Sequence, residues 1–91
     1  MSYVSGRLFT GQLTGITTSP VALADGTISN VREVMIQSDP TNAGNLIVGN
    51  VSHQYIVLTP GQAITLPVIS LTLIYVRASS GTVIANWLSR D

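Results

Sequence analysis

His53 is the single histidine of the chain, and there is no cysteine for it to activate. A serine nucleophile would need a strained elbow holding its hydroxyl against a base, and no such motif surrounds any serine here. His53 therefore reads as a loop or edge histidine. Asp39, Asn42 and Asn45 form a D-x-x-N-x-x-N string whose oxygens could ligate calcium. The string lacks the alternating ligands and the closing glutamate of a helix-loop-helix calcium site. Asp39 before Pro40, followed by Asn42 and Gly44, is instead the chemistry of consecutive tight turns. No metal and no cofactor is expected, and the chain reads as a non-enzyme. Arg7, Arg32, Arg77 and Arg90 are dispersed, as single ion-pair or hydrogen-bond partners are, and form no phosphate-binding patch.

Trp87 and Tyr75 are the aromatic side chains with most to contribute. Each reads either as core packing or as an interface anchor, because a large rigid ring supplies contact area at little entropic cost. An exposed ring could equally stack on a sugar, which keeps a carbohydrate- or receptor-binding module as an alternative.

The elements that must position these residues are short and extended. Pro20 to Leu23 reads as an edge strand, since proline cannot donate to a ladder, and Asp25-Gly26 is a turn signal. Val31 to Ser38 alternates, with Val34 and Ile36 on one face and Glu33, Met35 and Gln37 on the other. Leu46 to Val48, Tyr55 to Leu58 and Gln62 to Val68 follow, with Pro60-Gly61 as a turn between the last two. Thr72 to Ala78 and Thr82 to Ser89 read as a hairpin around Ser79-Ser80-Gly81. Seven or eight strands at this spacing predict an all-β protein, a small antiparallel β-sandwich of jelly-roll or Greek-key type. Residues 1–19 are rich in Gly, Ser and Thr and read as an extended N-terminal arm or edge segment, with the sandwich over 20–91.

Composition bounds the function. With 91 residues and no disulfide, the chain sits near the size at which a single core is sufficient, and partner subunits are the remaining source of stability. Only 9% of residues are charged, against about 25% usually, and the formal net charge is zero. That leaves no electrostatic footprint for nucleic acid. It also removes the repulsion that keeps monomers apart. No apolar run reaches the length of a membrane span, and residues 1–7 lack the pattern of a secretory signal. In the last two strands both faces carry apolar groups, which points to a second buried contact or to central strands beneath loops. Leu73, Tyr75, Trp87 and Leu88 are the candidate subunit interface.

The succession D-P-T-N-A-G-N-L-I-V-G-N, L-T-P-G-Q-A-I-T-L-P-V and L-I-Y-V-R-A-S-S-G-T-V-I-A-N-W-L, over residues 31–88, resembles small tailed-bacteriophage virion proteins. These are the capsid decoration (cement) and head-fibre-base proteins. The resemblance implies a homotrimer on the outer surface of a virion capsid, made in the host cytoplasm and bridging subunits of the phage major capsid protein. The capsid-contacting arm would then present Tyr3, Arg7, Leu8, Phe9, Leu13 and Ile16. The chain carries no distal fibre-forming segment, which favours cementing over host recognition.

Overall fold

The computed structural model describes residues 8–24, 31–68 and 70–90. Eight strands run in the order β1 (Leu8–Ile16), β2 (Val21–Ala22), β3 (Glu33–Ser38), β4 (Leu46–Gly49), β5 (Gln54–Leu58), β6 (Ala63–Leu66), β7 (Tyr75–Ala78) and β8 (Val83–Arg90), with one 3-10 turn at Leu71–Leu73. They form two four-stranded antiparallel sheets, ordered β1-β8-β3-β6 and β2-β7-β4-β5. Strand one pairs with eight, two with seven, three with six and four with five. This is a long hairpin of eight strands folded over on itself, which is the jelly roll. The predicted all-β sandwich is what the structure shows, and the strand order decides between the two topologies.

Alternation places the core. Val34 and Ile36 of β3, Val83, Ala85 and Trp87 of β8 and Ile16 of β1 face Leu46, Val48, Leu58, Val76 and Ala78 of the opposing sheet. Leu23, Leu71 and Ile74 complete the same cluster from the connections. Phe9 and Leu13 pack against it from β1, and Ile64 and Leu66 from β6. Ser38 and Ser89 share the inner face, and the buried Ser89 hydroxyl has no hydrogen-bond partner in the structure.

Among the described residues only β4 and β5 form a hairpin. Every other connection crosses between the sheets, and this corrects the hairpin expected around Ser79-Ser80-Gly81. There β7 ends in one sheet and β8 begins in the other. The Ser79 amide donates to Asn45 O (3.0 Å), the Asn45 amide to Ser79 Oγ (3.0 Å) and the Ala78 amide to Thr17 O (2.7 Å), so β7 is tied to its own layer. Val76 and Ala78 thus enter the core from one sheet and Val83 and Ala85 from the other. The Pro60-Gly61 corner is built likewise. Gln62 N donates to Thr59 O (2.9 Å), and Gly61 takes the left-handed φ of 89° that the third position of such a turn requires. The predicted Asp25-Gly26 turn lies outside the described residues.

Candidate functional site

Asp39, Asn42 and Asn45 all serve turns. The Asn42 side chain donates to Ile84 O (2.9 Å) and accepts from the Ile84 amide (2.8 Å), standing in for a paired strand at the exit of β3. Asp39 accepts from the Thr41 hydroxyl and amide and from Asn86 Nδ2 (2.9 Å). The Thr41 hydroxyl foremost, then Asn86 and the Thr41 amide, hold this carboxyl below its ordinary 3.8. Its contribution to stability is therefore complete above pH 3.8 and is lost as pH falls through the lower folded value. Asp39→Asn should flatten the acid limb of melting temperature against pH, measured from pH 5 to about 2. An acid limb identical to the unaltered protein's would show that Asp39 contributes nothing there.

Among the described residues no three His, Cys, Asp or Glu side chains converge. His53 is exposed in the β4–β5 loop, its ring 5.4 Å from that of Tyr55. The Asn50 side chain accepts from the Ser52 and His53 amides (2.9 and 2.8 Å), so the loop is a turn held by its own first residue.

The outer face of the β1-β8-β3-β6 sheet is organised in cross-strand rows. Leu8, Arg90 and Glu33 make the first, with Arg90 Nε donating to Glu33 Oε1 at 2.8 Å in an exposed pair. Thr10, Leu88, Met35 and Thr65 make the second. In the third, Gln12 Nε2 donates to Asn86 Oδ1 (2.8 Å) and Asn86 Nδ2 to Gln37 Oε1 (3.1 Å). The first two rows enclose a shallow groove of about 100 Å³ lined by Leu8, Met35, Leu88, Thr65 and the Arg90–Glu33 pair. That volume takes one apolar side chain.

The candidate interface residues do not come together. Leu88 opens onto this groove, whereas Tyr75 lies half-buried on the outer side of the other sheet and Leu73 is exposed in the 3-10 turn. Trp87 is corrected to a core residue. It is 7% exposed, and its indole lies over Gly11, whose absent side chain leaves room for the ring. Ile16 of the expected arm is likewise enclosed in the core and can contact no partner, because β1 turns inward through a bulge between Leu13 and Ile16. Phe9 and Leu13 face inward, and of the described candidate contact residues of the arm Leu8 alone is exposed. Tyr3 and Arg7 lie outside the described residues.

Sequence reasoning placed a strand at Tyr55 to Leu58, which is β5, but did not name it as a candidate surface. Tyr55, Ile56 and Val57 are consecutive and all exposed, on a strand at the end of its sheet. The available signal was a strand apolar on both faces next to a turn on each side. Compared with protein-family models, curated proteins and solved structures, the chain matches none.

Proposed function

We propose that this chain is a non-enzymatic virion structural protein that decorates a phage capsid as a homotrimer bridging major capsid subunits. The observation that carries the reading is the groove of Leu8, Met35 and Leu88, a preformed apolar slot on an otherwise polar sheet face. An uncharged slot of that size, rimmed by one ion pair and backed by a ladder of amides, suits the surface of a folded protein. A shell that repeats its subunits would multiply a weak single contact into firm attachment. Binding only the assembled shell would stabilise that shell by mass action. The carbohydrate-binding alternative has less support, since Trp87 is enclosed and Tyr75 half-covered.

Removing residues 1–15 would strip most of β1 from its sheet, so point changes are the better test. Leu88→Asp places a charge in the groove at an exposed position. Occupancy on purified capsids should fall at least about tenfold, the effect of some 1.4 kcal/mol per contact, with the melting temperature nearly unchanged. Full occupancy by Leu88→Asp would sink the proposal.

A further inference from the structure

We propose that the β5 edge is the surface through which copies of this chain meet one another. Three observations choose a second copy as the occupant. The first is extent: Tyr55 is 75% exposed, Val51 64%, Ile56 53% and Val57 48%. At about 150–250 Å² for a buried aromatic ring and about 60–120 Å² for an aliphatic side chain, they offer roughly 300 Å² of apolar surface. A standard interface takes about 800 Å² from each partner, a little over half of it apolar. One edge thus supplies about two thirds of the apolar area that a standard contact takes from each partner.

The second observation is charge. From Pro40 to Val76 the chain contains no Asp, Glu, Lys or Arg. On a symmetry axis identical side chains face each other, so a charge there would repel its own image. The side chains of β5 itself meet their copies without that cost, and Arg77, in the same sheet, is turned onto Gln54 O (3.4 Å).

The third is the contrast with the other sheet ends. β2 is two residues long and follows Pro20, β6 is four residues long and is closed by Pro67, and β1 is broken by its bulge and exposes Thr10, Gln12 and Thr14. Short length, proline, bulges and polar side chains are how free edges are kept from pairing. β5 has a register irregularity of its own at Tyr55, yet it shows three exposed apolar side chains in succession and no charged side chain. Of the four edges it is the one whose outer surface is apolar, and so the one suited to be covered.

This inference deepens the proposed function by naming the trimer contact, and mass alone tests it. Native mass spectrometry of the unaltered protein should give a multiple of 9.6 kDa. Ile56→Glu should return it to the single-chain mass, with unchanged tryptophan fluorescence from the enclosed Trp87. Should Ile56→Glu not fold, Tyr55→Ser at the most exposed position should raise the dissociation constant at least about tenfold. Leu73→Glu, exposed elsewhere, should leave the mass unchanged. A monomeric unaltered protein, or β5 variants that keep their assembly, would overturn the inference. A dimer split by Ile56→Glu would uphold the surface and remove the three-fold arrangement from the proposed function. Loss of capsid binding by Leu88→Asp bears on the function alone.

Discussion

Replacing Trp87 with alanine is expected to destabilise the fold by about 3–5 kcal/mol, the largest single effect available in this core. The indole fills the inner row Gly11–Trp87–Ile36, where β8 lies between β1 and β3. Its removal opens a cavity between strands whose ladders hold the backbone apart, so little of the space can close. For a domain of this size each kcal/mol moves the midpoint by about 4–8 °C, and the fall should exceed about 12 °C. Gly11 supplies a check that a generic core loss would not pass. A Cβ at Gly11 would lie 2.5 Å from Trp87 Cζ2 and 2.6 Å from Cε2. Gly11→Ala alone should therefore cost about 1–3 kcal/mol. On the Trp87→Ala background the same change should be neutral or stabilising, because the ring is gone and alanine is less costly than glycine in a strand. Additive losses in a thermal-melting cycle would refute this packing account.

Gly49→Ala is expected to be nearly as damaging through the backbone. A Cβ at Gly49 would sit 2.0 Å from His53 O and 2.5 Å from Gln54 Cα. Both are main-chain atoms, so no side chain can rotate away. The strands must separate where the Asn50 amide donates to His53 O (2.8 Å) and where the Val48/Gly49 register shift admits an extra residue. A cost of about 3 kcal/mol is expected, measurable as a fall in melting midpoint of roughly 12 °C or more. Since Tyr55 follows directly, assembly through β5 should weaken together with stability. A midpoint within about 3 °C of the unaltered protein would show that the hairpin end adapts freely.

Much of this molecule is legible in its residue order. Val34 and Ile36 alternate with Glu33, Met35 and Gln37 as they do in β3, and Pro60-Gly61 and Asp39-Pro40 end strands where they stand. Two things are not legible. A three-residue loop such as Ser79-Ser80-Gly81 has the same chemistry whether it joins neighbours in one sheet or crosses between layers. Only the distant partners Asn45 and Thr17 decide it. The exposure of a strand is also hidden from local pattern. Tyr55, Ile56 and Val57 resemble Leu46, Ile47 and Val48 in type, yet the second group is buried because β4 lies between β5 and β7. Trp87 is the reverse case: a residue suited to an interface by type is enclosed because glycine stands opposite it.

Leu8 pairs with Arg90, and β8 separates β1 from β3. During synthesis the first-made strand of that sheet must therefore wait for the last: β3 and β6 can pair with each other, but β1 has no partner until β8 has left the ribosome. The β4–β5 hairpin can close first, and the β3–β6, β4–β7 and β2–β7 pairings can follow before β8 is made. Pairings so distant along the chain are slow to find, on the order of milliseconds to seconds for β topologies. For that interval the uncharged stretch around β5 is exposed on every nascent chain, and on a shared messenger the chains emerge side by side. The strand inferred to join finished copies is thus also among the first to be offered to a neighbour, before β8 closes the fold behind it.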